Sequence, residues 1–264
     1  MSVPTGHGLL LAADIGNSHT VLGLMRDGEV SADWRVATVE GRTADEWAVL
    51  LHGLLGEREA EVEGIVVCAT VPTVLQEWRT MLTGPFGALP SVVVEPGVRT
   101  GVPVLTDNPR EVGTDRIVNA LAAVTRYGGP AVVVDFGGTA TTFDVVNPQG
   151  QYIGGAISPG IEISLEALER RGAQLRMVEL RRPRSVIARN TVEALQSGMV
   201  FGVASLVDGI VARMIAELGV PESEVTVVAT GYLAALVHDE CGCFTEHDPW
   251  LTLRGLELVY ARNR

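Results

Sequence analysis

Two short stretches carry the residue types that phosphate chemistry needs. Asp14-Ile15-Gly16-Asn17-Ser18-His19-Thr20 and Asp135-Phe136-Gly137-Gly138-Thr139-Ala140-Thr141-Thr142 each set a carboxylate two residues before a glycine, with hydroxyl or amide side chains after it. Such a carboxylate holds Mg²⁺ directly or through water, the glycine admits close backbone approach, and Asn17, Ser18 and the threonines donate to phosphate oxygens. Either stretch alone reads equally as a polar hairpin turn. Two of them, 121 positions apart, form a two-sided phosphate clamp.

A third stretch, Asp107-Asn108-Pro109-Arg110-Glu111-Val112-Gly113-Thr114-Asp115-Arg116, leads into the apolar helical run Ile117 to Val124. Asn108 and Pro109 fit an N-cap and first-turn pair. Asp115, near the helix start, is placed to accept a proton from a substrate hydroxyl while Arg116 orients an anion. The same two residues also fit a first-turn acid favoured by the helix dipole and a surface arginine. Gly154 to Ile161 reads as a small-residue turn open to a ligand or another backbone, and Thr191, behind Asn190, opens a helix and presents a hydroxyl.

These turns need elements to hold them. Leu9 to Ala13 runs into Asp14, and Ala131 to Val134 into Asp135; both are short apolar strands, and after each turn comes another strand, Thr20 to Leu24 and Thr142 to Val146. Strand, glycine turn, strand excludes the dinucleotide and P-loop signatures, which need a helix after the turn. Between the turns, Thr43 with Glu46 forms a capping box for a helix to Leu55. Gly64 to Thr70 reads as a strand, Val71 to Leu82 as a helix and Ser91 to Glu95 as a strand. Helices follow at Ile163 to Glu169, Thr191 to Leu218 and Leu251 to Arg262, with a strand at Val225 to Ala229 before the Thr230-Gly231 turn. The alternation predicts an α/β chain of two lobes, 1–127 and 128–264.

At 264 residues and 47% hydrophobic content, the chain can bury one large core or two smaller ones. A formal charge of −12 argues against nucleic-acid binding. All 20 basic residues are arginine, which excludes a P-loop, protein-kinase or Schiff-base lysine. Cys68, Cys241 and Cys243 form no even framework, so a reducing cytoplasm is expected. Cys241-x-Cys243-x3-His247 supplies three soft ligands without a fourth at metal-site spacing, so ordinary thiols near a turn are expected. Leu9 to Ala13 lacks a basic leader and reads as a strand rather than a signal peptide. No apolar stretch is expected to span a bilayer.

In this order the segments resemble the type III pantothenate kinases, of the acetate kinase, sugar kinase, Hsp70 and actin superfamily. The likeness runs through D-x-G-N-[TS] at Asp14 to Ser18, N-P-R-E-V-G-x-D-R-I-V-N-A at Asn108 to Ala120 and D-F-G-x-A-T-T near Asp135. It continues in G-G-x-I-x-P-G-I at Gly154 to Ile161, N-T at Asn190-Thr191, Q-S-G at Gln196 to Gly198 and L-T-L-x-G-L at Leu251 to Leu256. The resemblance implies two actin-like ATPase lobes of ribonuclease H type, each a mixed sheet flanked by helices, with the active site in the cleft between them. It implies ATP-dependent phosphorylation of pantothenate in a homodimer, with Asp115 as general base and Thr106, Gly113, Thr114, Asp115, Arg116 and Thr191 at the substrate. Asp14, Ile15, Gly16, Asn17, Ser18, His19, Thr20, Val21 and Thr139 would contact ATP, Asp14 the Mg²⁺ that ATP carries, and Asp135 a monovalent cation, K⁺ or NH₄⁺.

The chain departs from the family pattern at several ligand-facing positions. Beside the usual D-F-G-T-A-T-T, Gly138 adds a residue ahead of Thr139, enough to displace a hydroxyl by up to ~3.5 Å. Tyr232 stands in a T-G-G motif, Thr106 where many members have tyrosine, Ala173 to Arg176 in place of A-K-L-P, and Arg189 in place of lysine. These departures keep two alternatives open: a weakened relative serving as a nucleotide-binding regulatory or accessory protein, and a kinase for another small hydroxyl substrate.

Overall fold

The computed structural model describes residues 8–171 and 178–264. The segment Ala173 to Arg176 lies outside the described residues. The chain divides into two compact units: one takes residues up to Val102, Asn108–Ala122 and Trp250–Arg264, the other Pro103–Asp107 and Ala123–Pro249.

In the first unit, β1 (Leu9–Ile15), β2 (His19–Arg26) and β3 (Glu29–Ala37) form an antiparallel meander. After α1 (Ala44–Leu55), β4 (Val62–Ala69) runs parallel to β1; after α2 (Pro72–Thr83), β5 (Ser91–Val93) runs parallel to β4. The order is β3-β2-β1-β4-β5. Period two along β1 turns Leu9, Leu11, Ala13 and Ile15 into a core with Trp47 of α1 and Trp78 of α2. Those two indoles meet at 5.4 Å between ring centroids. Leu10, Ala12 and Asp14 therefore belong to the other face, and α7 (Leu251–Asn263) contacts β1, β2 and β4. The capping box at α1 forms as expected: the Thr43 side chain accepts from the Glu46 N–H, and the Glu46 carboxylate accepts from the Thr43 N–H at 2.8 Å.

The second unit repeats the plan. After α3 (Thr114–Tyr127), in which the unit boundary falls, β6 (Ala131–Phe136), β7 (Ala140–Val146) and β8 (Tyr152–Pro159) form the meander, and β9 (Thr226–Thr230) pairs parallel to β6. The order β10-β9-β6-β7-β8, with β10 (Glu246–His247) at the edge, is the order of the first sheet reversed in writing only. Val132, Val134 and Phe136 of β6 enter a core with Val200, Val207 and Val211 of α5 (Thr191–Leu218), which turns Val133 and Asp135 to the opposite face. Two α/β units with duplicated mixed sheets and flanking helices match the implied architecture.

Three sequence expectations are corrected. Gly154 to Pro159 is no turn: it forms most of β8, whose alternating exposure is that of an edge strand with one covered face. Asn108 caps nothing with its side chain, which instead donates to the Glu111 carboxylate at 2.6 Å across a short 3₁₀ turn, Pro109–Glu111. And α5 is long and apolar enough to cross a membrane by length and composition; its 28 residues nevertheless carry a buried stripe, Val200, Ala204, Val207, Val211 and Ile215, that builds the second core.

Candidate active site

The first acidic turn is tied at its base and open at its tip. The Gly16 N–H donates to the His19 carbonyl at 3.0 Å, and the Ile15 carbonyl accepts from the Thr70 N–H at 2.9 Å and the Thr70 hydroxyl at 3.2 Å. Beyond it, Thr38 N–H donates to the Ser18 carbonyl at 2.9 Å, and the Thr20 and Thr38 hydroxyls bond at 2.9 Å. Asn17 and Ser18 are exposed, His19 and Val21 half-buried, and Ile15 and Thr20 buried. A phosphate can reach the tip without unfolding it.

Asp14 pairs in register with Cys68 of β4, and the Cys68 thiol donates to Asp14 Oδ1 at 3.2 Å. Cys68 is fully buried; burial first, then the charges of Asp14 and Asp115, push its thiol well above the usual range. The first unit thus brings Asp14, Cys68 and Asp115 into one electrostatic group.

Asp115 sits in the first turn of α3, where the Ile117 N–H closes onto the Gly113 carbonyl at 3.2 Å. That helix is fixed from the side, since the Thr252 hydroxyl of α7 donates to Asn119 Oδ1 at 2.8 Å. A β-carbon on Gly113 would come within clashing distance of Asp115 Oδ1, so any other residue there pushes that carboxylate aside. Oδ1 is buried and has no hydrogen-bond partner, as is the Thr114 hydroxyl beside it. Burial raises the Asp115 carboxyl above its ordinary range, opposed by a backbone hydrogen bond and the positive charge of Arg116. A buried, unsatisfied carboxylate oxygen is costly, which marks Asp115 as a candidate for function.

The second turn, read against the first, is not lengthened. Phe136 pairs with Thr141 as Ile15 pairs with Thr20, without a register shift, so Gly137, Gly138 and Thr139 occupy the places of Gly16, Asn17 and Ser18. Where Asn17 is exposed, however, Gly138 is buried. The first turn of α4 (Ile161–Arg171) covers it: the Ile163 N–H donates to the Gly138 carbonyl at 3.3 Å and the Gly160 N–H to the Thr139 carbonyl at 2.9 Å. From the end of β9, the Tyr232 hydroxyl donates to Glu162 Oε2 at 2.5 Å. Any side chain on Gly138 would meet both of those oxygens. Asp135 lies against Gly231, whose φ of +89° suits glycine. The hydroxyls of Thr141 and Thr230 are buried without partners, Thr230 directly beside Asp135 in the sheet register.

Among the other expected residues, Thr106 has a buried hydroxyl without a partner, Arg116 is half-buried, and Thr191 is exposed at the first position of α5. Asn190 caps that helix by accepting from the Glu193 N–H at 2.9 Å. Cys241 is pushed up to about 12 by burial and Asp208; burial and a hydrogen bond to Asp208 push Cys243 up as well. Among the described residues no group of three His, Cys, Asp or Glu side chains is placed to hold a metal ion. Mg²⁺ asks for less, since it is commonly held by one or two carboxylates together with substrate phosphates. Cys68 and the Tyr232–Glu162 pair were not read as site residues from sequence; only the T-G-Y departure pointed toward the latter.

A family model for type III pantothenate kinase matches residues 10–213. The type III pantothenate kinase of a Nocardioides species is 76% identical over 254 residues, 96% of this chain and 99% of that one. That of Streptomyces griseus is 60% identical over 262 residues, 97% of this chain and 98% of the other. Among solved structures, the activator of the 2-hydroxyisocaproyl-CoA dehydratase from Clostridium difficile with bound ADPNP aligns at a TM-score of 0.54 and 12% identity, over 96% of this chain and 94% of that one. That last likeness is one of fold.

Proposed function

The chain belongs to the type III pantothenate kinase family, and on that premise we propose that it transfers the γ-phosphoryl group of ATP to the pantothenate hydroxyl, the first step of coenzyme A biosynthesis. The observation that carries this reading is Asp115: a carboxylate raised in pKa, with Oδ1 buried and unpartnered at a helix start, in one electrostatic group with Asp14. In its ionised form Asp115 accepts the hydroxyl proton as the substrate oxygen attacks phosphorus. Gly113, Thr114, Arg116, Thr106 and Thr191 are assigned to pantothenate, with Arg116 facing its carboxylate. Asp14 through Val21 and Thr139 are assigned to ATP.

Oxygen donors suit hard cations. Asp14 would help hold Mg²⁺, which when bound neutralises phosphate charge. Asp135, with the unpartnered Thr230 hydroxyl beside it, would hold K⁺ or NH₄⁺. In a chain without lysine, the remaining positive field comes from Arg116 and backbone N–H groups.

We assign the protein to the cytoplasm, in keeping with three free thiols. We assign it a homodimeric state because the exposed Val192 and Leu206 and the half-buried Leu195 and Met199 form an apolar stripe on α5, at a spacing that puts them on one helix face. A coupled ATPase assay tests the reaction, run with and without pantothenate and K⁺. ADP release that depends on pantothenate is expected; none at saturating ATP, Mg²⁺ and K⁺ would overturn the assignment.

A further inference from the structure

The residues over Gly138 have no part in the chemistry above, yet they decide the shape of the second turn. The Tyr232 hydroxyl is bonded to Glu162, and both oxygens stand where a side chain at position 138 would go. Glu162 belongs to the same helical turn as Ile163, whose N–H holds the Gly138 carbonyl, and follows Gly160, whose N–H holds the Thr139 carbonyl. One hydrogen bond therefore ties the end of β9 to the first turn of α4, and that turn grips two consecutive carbonyls of the glycine turn. In the first unit the Thr38 N–H holds the Ser18 carbonyl much as Gly160 holds that of Thr139, but among the described residues nothing matches the Ile163 contact or the Tyr232–Glu162 pair over Asn17, which is exposed.

We propose that Tyr232 and Glu162 are positioning residues for the nucleotide: their hydrogen bond fixes the Gly137-Gly138-Thr139 turn in the conformation that receives the phosphates. The two departures at Gly138 and Tyr232 are then one adaptation, since the tyrosine hydroxyl demands a glycine beneath it. Neither side chain is a reactant. Their loss reaches the nucleotide through the turn, weakening its binding more than the rate of the bound complex. This rests on the reading of the second turn as a nucleotide contact.

The test measures ADPNP binding by calorimetry with Mg²⁺, alongside KM for ATP and kcat, in wild type, Tyr232→Phe, Glu162→Leu, the double variant, Gly138→Ala and Gly138→Ala/Tyr232→Phe. Each single change at the pair is expected to weaken ADPNP and raise KM for ATP about ten- to a hundredfold, as for loss of a hydrogen bond to a charged group, with kcat changed about twofold or less. The double variant should match the singles, because one bond is removed in each case. Gly138→Ala should cost less in the Tyr232→Phe background, where the obstructing hydroxyl is gone. Binding within twofold of wild type in both single variants overturns the proposal, and so does equal damage from Gly138→Ala in both backgrounds. Loss of thermal stability with unchanged nucleotide affinity overturns it as well, leaving a structural role. Wild type that binds ADPNP without turning over pantothenate would sink the kinase reading, while the affinity ratios would still decide the role of the pair.

Discussion

Asp115 is held at a cost, and that cost makes its behaviour testable. Its carboxyl is raised by burial, so it titrates above the ordinary aspartate value of about 3.9. The acid limb of kcat/KM should lie above that value, because the base is lost as pH falls through the raised pKa. A limb at or below the ordinary value would deny Asp115 the role. The sign for stability is opposite to that of a salt-bridged acid: a raised folded pKa means ionisation destabilises, in full above the folded pKa, with relief as pH falls toward the unfolded value. Asp115→Asn should therefore cut kcat about 10²- to 10⁴-fold while raising Tm at neutral pH. A gain of roughly 1 kcal/mol corresponds to about 2–4 °C for a chain of this size. Cys68 makes a second residue-level case, as a protonated thiol donating to the carboxylate assigned to Mg²⁺. Cys68→Ser keeps a donor and should stay within about threefold of wild type in KM for Mg·ATP, whereas Cys68→Ala should raise it about tenfold. Equal effects from serine and alanine would show that packing, not the hydrogen bond, is what matters.

Elements decide whether those side chains arrive, and Gly113 is where α3 meets the chemistry. A methyl group there presses on Asp115 Oδ1, so Gly113→Ala should leave far-UV circular dichroism unchanged and lower kcat/KM about a hundredfold, the usual scale for a displacement near 1 Å. Wild-type kinetics in that variant would mean the carboxylate has slack. Much of this layer is readable from residues alone. Thr43 and Glu46 announce α1 because the capping box is local, and Thr191 to Leu218 is delimited by Asn190 in front and Gly219, in the left-handed conformation, behind. β8 escapes such reading because Gly154, Gly155 and Pro159 are poor strand formers, and it is pairing with β7 that makes it a strand. The same limit hides Cys68 and the Tyr232–Glu162 pair. Asp14 and Cys68 are neighbours only in the parallel register of β1 and β4, and Tyr232 meets Glu162 across 70 positions of chain. Local pattern has no access to either.

At the scale of the whole molecule, α5 joins two questions, what builds the second core and what covers the outer surface. By composition it could be taken for a membrane span, yet its neighbours Leu206 and Val207 are 39% and 0% exposed. Val207 belongs to the same buried core as Val132, Phe143 and Val227, so Val207→Glu buries an unpaired charge and should cost roughly 4 kcal/mol or more, enough to leave little soluble folded protein. Leu206→Glu adds its charge one residue away on the apolar stripe. It should keep the wild-type circular dichroism and shift sedimentation velocity from dimer to monomer. A soluble Val207→Glu with wild-type Tm would refute α5 as a core helix; a Leu206→Glu that sediments like wild type would refute the stripe as the subunit contact. One substitution thus reads the inside of the fold and its neighbour the outside. The pair separates a core helix with a docking face from a membrane helix, which would tolerate a charge at neither position.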